Sequence, residues 1–294
     1  MISTSVVVPA FNAEKTLGDC LRALCGQDLP TSDFEVIVVD DGSSDSTAQV
    51  AESSGVKVVR QHNCGAGAAR NAGVRAAQGA WVAFTDADCI PARSWLRTLL
   101  AAVGERTPGS IAGAAGKTVG FQSRTAAARF CDLAGSLDAG NYLMHPRFPF
   151  APSANLMYRR ELVERAGGFD ERYTTYEACD LHGRIMRAAG GTFIYAPRAL
   201  VLHRHREDWR SYWRQQYSYG IGYGQFMLHH RDEFEWTFAK DLRAWGEIGW
   251  LGLSAWRPPK DDDGLYKRGL FIKKFAQHLG FTKARLDPKE RARW

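Results

Sequence analysis

No stretch of this 294-residue sequence approaches the ~18 consecutive apolar residues that a membrane span requires. The opening residues, MISTSVVVPAF, lack a basic segment and hold only three consecutive valines, so neither a secretory leader nor a membrane anchor is expected there. Cysteine is sparse. The six residues at positions 20, 25, 64, 89, 131 and 179 form no CxxC pair and no regular framework. That spacing predicts reduced thiols rather than disulfides or a zinc site. Internal repeats and low-complexity runs are absent. With 45% apolar and 24% charged residues, the composition is that of an ordinary globular protein and excludes a disordered chain. A cytoplasmic location is expected.

Charge is present in excess and unevenly placed. The formal net charge is +6, and residues 260–294 hold ten Lys and Arg against five Asp and Glu. A basic end suits a phosphate-rich partner such as a nucleotide or an anionic lipid. No nucleic-acid motif accompanies it, so nucleic acid is not an expected partner.

Strand and helix signals alternate through the first half. TSVVVPAF, FEVIVVD, VKVVR and WVAFTD read as buried strands, with helices near Ala13–Gln27 and over AGAARNAGVRAAQG. DGSSDST suits a turn and a helix start. Apolar strands separated by helices predict an α/β fold, a mostly parallel Rossmann-like sheet with helices on both faces and ligands at the strands' carboxyl ends. Farther on, SIAGAAGKTVGF is a candidate strand, and Arg159–Ala166 and Glu177–Ala189 read as helices. TFIYAPRALVLHRH reads as two short strands around a Pro turn. The composition shifts after His205, which predicts a domain over 1–205, with halves of about 1–105 and 106–205, and a helical aromatic and basic extension over 206–294.

Acidic residues cluster where two of these strands end. VVDDGSSD supplies Asp40 and Asp41, and FTDADC supplies Asp86 and Asp88. In extended chain, positions two apart share a side, so Asp86 and Asp88 would face one way and could hold Mg²⁺ or Mn²⁺. Each cluster alone is equally the ordinary use of Asp to cap a turn. Together, at ends expected to be adjacent in one sheet, they favour a metal and diphosphate site.

At this point the sequence resembles the family 2 glycosyltransferases of the GT-A fold. The resemblance rests on VVVPAFNAEKTLGDCLRAL, VVDDGSSDST, GAGAARNAGVRAAQG, WVAFTDAD, SANLMYRRELVERAGGFDE and the E..DL..R around Glu177. These run in family order across residues 4–205. The resemblance implies a nucleotide-sugar donor and a base pocket lined by Pro9, Ala10, Phe11 and Glu14. It implies that Asp41 accepts a hydrogen bond from the base and that Arg70 lies near the base and phosphates. Asp86 and Asp88 match the family's DxD pair, Asp86 toward the ribose and Asp88 on a Mn²⁺ or Mg²⁺ ion. His203, after the last core strand, is a further candidate for the ion; His205 reads as a solvated histidine.

The stretch TTYEACDLHGRI departs from the family pattern. Where many members carry Glu-Asp-x-Asp-Leu, this chain has Glu177-Ala178-Cys179-Asp180-Leu181, so the usual catalytic base is replaced by Ala178. Three accounts remain: Glu177 is the base, Asp180 is the base, or the acceptor needs none because it is already ionised. A sugar hydroxyl needs general-base help worth roughly 10²–10⁴ in rate, whereas a polyprenyl phosphate does not. The acids could equally be a helix-start pair favoured by the dipole.

Residues 209–256 contain six of the nine tryptophans. They read either as packing for helices or as an interfacial surface. GLYKRGLFIKKFAQHLGF reads as a basic amphipathic helix, with Leu265, Leu270, Phe271, Phe275 and Leu279 opposite Lys267, Arg268, Lys273 and Lys274. Peripheral membrane contact through residues 209–281, at the inner face of the plasma membrane, is the sharper expectation. YGIGYG, at 219–224, is expected to break a helix and form an acceptor-side loop. The reading as a whole is an inverting, metal-dependent glycosyltransferase acting on a glycan or lipid-linked acceptor of envelope or exopolysaccharide assembly. The alternatives are a polyprenyl-phosphate sugar transferase and a catalytically inactive nucleotide-binding scaffold.

Overall fold

The computed structural model describes residues 2–104, 111–233, 236–255 and 258–294. The expected boundary near 105/106, Ser110 of the candidate strand, and Trp256 and Arg257 lie outside the described residues.

The strands are β1 (Thr4–Ala10), β2 (Phe34–Asp40), β3 (Lys57–Arg60), β4 (Trp81–Phe84), β5 (Cys89–Pro91), β6 (Ile111–Gly120), β7 (Leu156–Arg159) and β8 (Thr192–His203). They form one 8-stranded sheet in the order β3-β2-β1-β4-β7-β6-β8-β5. β1 to β4 pair in parallel, and β7 runs antiparallel to both its neighbours. β8 is parallel to β6, and β5 closes the edge antiparallel to β8. The continuous apolar runs follow from two covered faces. Val6, Val8, Val36 and Val38 enter one core, while Val7, Ile37 and Val39 enter the other. β1 lies between β2 and β4, so the two acidic ends are not adjacent as the sequence suggested.

Helices α1 (Leu17–Cys25), α2 (Thr47–Ser53), α3 (Ala66–Ala76), α4 (Trp95–Gly104), α5 (Ala126–Leu133) and α6 (Ala139–Leu143) follow in chain order. After them come α7 (Arg160–Arg165), α8 (Glu177–Ala189), α9 (Trp209–His229), α10 (Phe238–Ala255), α11 (Asp262–Leu286) and α12 (Pro288–Arg293). The chain divides into two compact units. The first comprises Met1–Phe121, Leu137–Glu171 and Glu177–Arg204; the second comprises Gln122–Ser136, Arg172–Tyr176 and His205–Trp294. Two segments within 1–205 thus belong to the helical unit. Packing explains why: Phe130 of α5 meets Trp209, Tyr212 and Tyr266, and Tyr173 meets Phe226 and Trp294.

β8 corrects the expectation of two short strands around Pro197. It is continuous, but its register against β6 jumps from Ala196↔Gly116 to Leu200↔Lys117. Pro197, Arg198 and Ala199 are therefore extra residues on one side, a bulge that tolerates a proline. Asn155 takes up carbonyls that the bulge leaves unpaired, its Nδ2 donating to Lys117 O at 3.0 Å and Ala199 O at 2.9 Å. Its Oδ1 accepts from Trp95 Nε1 at 2.8 Å. The SAN of SANLM thus has a structural task.

The second unit overturns two expectations. YGIGYG is not a loop but the middle of α9, unbroken through 219–224. Its glycines allow close approach instead: a Cβ on Gly220 would lie 2.0 Å from Gln277 O of α11, and one on Gly222 would lie 2.0 Å from Thr175 Oγ1. Gly220→Ala is accordingly expected to lower the melting temperature. Helix propensity alone would stabilise by about 1 kcal/mol, whereas overpacking costs about 1–3 kcal/mol. Gly246 of α10 has open space around it, so Gly246→Ala is the control that should stabilise or leave Tm unchanged. Thermal unfolding followed by circular dichroism reads both signs.

α11 is the second correction. It is a helix, but no apolar face is offered to solvent: Leu265, Gly269, Ala276, Gly280 and Phe281 are buried, and Leu270, Phe271, Phe275 and Leu279 are partly buried. The row of exposed apolar side chains lies on α10, where Phe238, Leu242, Trp250 and Leu253 fall on one helical face; the exposed large apolar residues of α11 are only Tyr266 and, at its end, Leu286. Most other aromatics of the segment pack: Trp213 and Trp245 on Phe275, and Trp209 on Tyr212. Among the described residues no helix is long and apolar enough to cross a membrane.

Candidate functional site

The ends of β1 and β8, the loops after β1, β2 and β4, helix α3 and the start of α8 carry the candidate donor, metal and base residues, all within the first unit. At the end of β1, Pro9 and Ala10 give way to Phe11, a residue that is 51% exposed. Asn12 holds this loop to the next: its N–H donates to Ser43 Oγ, and its Oδ1 accepts from Ser44 N. Glu14 does the same, its Oε2 accepting from Ser46 N at 3.1 Å. Asp41 is buried and already well supplied. Gln61 Nε2 and Cys64 N donate to Oδ1 at 2.7 and 2.9 Å, and Gly65 N donates to Oδ2 at 2.9 Å. This carboxylate anchors the turn into α3, and Oδ2, with one donor against two on Oδ1, keeps capacity for a further donor.

Arg70 is the centre of the arrangement. α3 carries it into the interior, where its side chain is 6% exposed. Nη1 donates to Glu177 Oε1 at 2.7 Å, and Nη2 donates to Asp86 Oδ1 at 3.0 Å. The guanidinium carbon lies 5.7 Å from the centre of the Phe169 ring. Burial alone would lower the pKa of Arg70, but Asp86 and Glu177 outweigh it and hold the pKa above its ordinary value. Nε is buried without a hydrogen-bond partner. One cation therefore ties the first acid of the DxD pair to the candidate base.

Asp86 and Asp88 do not share a side as extended chain would require. β4 ends at Phe84, and a turn follows in which Cys89 N donates to Asp86 O at 3.0 Å. Asp86 turns to Arg70; Asp88 turns to His203. The second pairing comes from the sheet, because β5 pairs with β8 in the register Cys89↔His203. It brings His203 Nε2 to 3.4 Å from Asp88 Oδ1. Ligand atoms of Asp88, Cys89 and His203 all lie within 4.8 Å of one another. Two donors sharing one small ion at ~2.1 Å would be about 3 Å apart, so the carboxylate and imidazole fit. Cys89 is the poorest donor of the three for a hard cation, since sulfur is soft and suits other metals than Mn²⁺ or Mg²⁺. One oxygen and one nitrogen donor suit Mn²⁺ or Mg²⁺ with other positions left to a diphosphate and water. His205 is buried rather than solvated, its Nε2 lying 3.3 Å from Asp132 in the second unit.

Glu177 opens α8, with a side chain 12% exposed. The residue before it, Tyr176, has φ +76°, a left-handed conformation that a tyrosine rarely adopts. Ala178 is buried in the core beside Leu181. Asp180 has a fully buried side chain paired with Arg184 at 2.6 Å. Arg184 in turn donates to Ala166 O and to Gly168 O. The pair thus ties α8 to the GGF turn. Sequence reading missed Asn71, which completes the frame: Nδ2 donates to Phe169 O, and Oδ1 accepts from Phe169 N, both at 2.8 Å. Gly168 must be glycine here, with φ +76° and Asn71 Oδ1 only 2.5 Å from where a Cβ would stand. The position of Asn71 next to Arg70 in AARNAG was the available signal.

A pre-mycofactocin glycosyltransferase of Mycobacterium tuberculosis is 33% identical over 78% of the chain, which spans about half (48%) of that relative's length. Staphylococcus aureus TarS 1–349 in complex with UDP-GlcNAc matches with TM-score 0.58 at 19% identity, covering 97% of this chain and 92% of that one. The mannosyltransferase PcManGT from Pyrobaculum calidifontis, in complex with GDP-Man and Mn²⁺, also gives TM-score 0.58, at 20% identity, covering 98% of this chain and 77% of that one. The fold is that of the GT-A glycosyltransferases, with the helices after β8 as its C-terminal extension. The model for glycosyl transferase family 2 matches residues 5–167, and the chain belongs to that family.

Proposed function

We propose that this chain transfers a sugar from a nucleoside diphosphate sugar to a glycan or lipid-linked acceptor of envelope or exopolysaccharide assembly, with inversion. The acceptor oxygen bonds to the anomeric carbon as the bond to the nucleoside diphosphate breaks. The observation that carries this reading is the Arg70 bridge between Asp86 and Glu177 beside the Asp88–His203 pair. The donors named for TarS and PcManGT, and the Mn²⁺ of the latter, support it.

Phe11 is proposed to stack on the base, with Pro9, Ala10 and Glu14 shaping the pocket wall and Asp41 holding the turn behind it. Asp86 meets the ribose, and Arg70 meets the phosphates. Asp88 and His203 would hold Mn²⁺ or Mg²⁺, which offsets the charge of the departing diphosphate. Asp180, sealed from solvent, serves as a positioning residue.

Glu177 is the proposed base for a hydroxyl acceptor. A second reading, an anionic acceptor such as a polyprenyl phosphate, draws support from Glu177 Oε1 already accepting from Arg70. Glu177→Gln keeps an oxygen for Arg70 but cannot take a proton. With a hydroxyl acceptor it should lower transfer by roughly 10²–10⁴. Undiminished transfer sinks the base assignment and favours the phosphate acceptor. Tight nucleoside diphosphate binding without turnover in the wild type would favour the inactive scaffold.

Peripheral membrane contact is proposed for α10 rather than α11. Trp250 and Leu253 are 74% and 76% exposed on the same face as Phe238 and Leu242. The helix carries Lys240 and Arg243 against Asp241 and Glu247, so attraction to anionic lipid is nearly cancelled. Burial of apolar area should then drive binding. Cosedimentation with zwitterionic vesicles should equal that with anionic ones, resist salt, and vanish in a Trp250→Ser/Leu253→Ser variant.

A further inference from the structure

We propose that the helical unit carries a site of its own for a neutral sugar ring, built entirely from residues of α9, α10, α11 and the segment before α10. The inference goes beyond the transferase reading and does not depend on it. A cleft of about 340 Å³ lies among these helices, within the ~300–1,000 Å³ typical of small-molecule sites. Its aromatic surfaces are Tyr223, Trp236 and Phe281. The Trp236 ring is held in place, with the Arg285 guanidinium 3.6 Å from its centre, yet the residue stays 40% exposed. Tyr223 packs on Phe281 at 5.5 Å and remains 38% exposed.

The polar lining decides the ligand class. Lys240 and Lys274 face the cleft together with Asp241 and Glu247, so cation and carboxylate numbers balance. Glu247 lies 3.4 Å from Lys274. A site for a diphosphate would concentrate cations; this one does not. Asp241 Oδ1 and His278 Nε2, which also line the cleft, face each other at 3.2 Å but out of line for a full hydrogen bond, and neither atom has any other hydrogen-bond partner. Burial lowers the pKa of His278, with Asp241 opposing it, so the ring is neutral at pH 7. Buried polar atoms left unbonded cost about 1–3 kcal/mol each. A hydroxyl, which both donates and accepts, relieves such atoms after a small side-chain rotation. A pyranose ring combines these needs: an apolar C–H face for the aromatic walls and a rim of hydroxyls for the carboxylates, amines and the Gln277 amide.

The test is ligand-observed saturation-transfer NMR on the full chain, without nucleotide or metal. The probes are the methyl glycosides of glucose, mannose and N-acetylglucosamine at millimolar concentrations. We expect saturable transfer to at least one of them, at least tenfold weaker binding in Trp236→Ala and in the shape-preserving Asp241→Asn, and no change in Asp88→Ala. Circular dichroism checks that the variants remain folded. Absence of transfer to all three sugars overturns the proposal, as does binding that survives both cleft variants. Loss of binding in Asp88→Ala would reassign it to the donor residues. Displacement of the sugar by inorganic phosphate would mark the cleft as an anion site and overturn it equally.

Discussion

Asp88→Ala is expected to abolish the Mn²⁺- or Mg²⁺-dependent part of the thermal stabilisation given by UDP or GDP, and to cut sugar transfer by at least roughly 10²–10³. That is the scale for losing one electrostatic stabiliser of developing charge. The reasoning rests on geometry that only the β5–β8 pairing creates, with Asp88 Oδ1 3.4 Å from His203 Nε2. Asp88 would bring the carboxylate to that donor set, since His203 would bind as a neutral imidazole and the Cys89 sulfur is a poor donor for a hard cation. Removing Asp88 therefore removes most of the attraction for a divalent cation. The fold should survive, because the Asp88 side chain is 27% exposed and lies in a turn rather than in the core. Thermal shift with and without the metal, across UDP, GDP and dTDP, reads both the ion and the base in one experiment. A variant whose nucleotide stabilisation keeps its full metal dependence would place the ion elsewhere.

Arg70→Met is expected to destabilise the protein by about 3 kcal/mol, the lower end of the ~3–5 kcal/mol range for breaking a buried ion pair. The lower end applies because Asp86 is 30% exposed and water can screen it; Glu177, at 12%, is not so relieved. The methionine fills much of the volume, so the loss comes mainly from two carboxylates left without their shared cation. Adding Glu177→Gln should then recover part of the stability, since one of the stranded charges is gone. Denaturant midpoints for the two singles and the double give the coupling. Strict additivity would show that the bridge is not an energetic unit. Donor affinity should fall in every variant lacking Arg70, whatever its stability.

Much of this was legible in the sequence because the sheet strands are covered on both faces. TSVVVPA, FEVIVVD and WVAF each carry an unbroken apolar run, VVV, VIVV and WVAF, which only strands buried on both faces need. The acids after them stood out for the same reason, as charge where the pattern forbids it. β5 and β7 were not legible. Cys89–Pro91 is three residues long and Leu156–Arg159 only four, too short to display a period. The glycines of YGIGYG misled because glycine weakens an isolated helix, while here it lets α9 and α11 approach to backbone contact. α11 misled for a related reason: basic and apolar residues alternate around it, but neighbouring helices cover its apolar positions, and the exposed face fell to α10.

The sequence by itself determined the family and marked Ala178 as a place where a carboxylate was expected, because each depends on residue type at a fixed place in a local motif. It could not say what Arg70 does. α3, the turn after β4 and the start of α8 are 16 and 107 residues apart along the chain at the contacts that matter. Only the folded sheet brings Asp86 and Glu177 to one guanidinium and sends Asp88 to His203. Local composition encodes which elements form. Which charges neutralise one another is settled by packing, since a buried ion must find its partner wherever the chain has brought one.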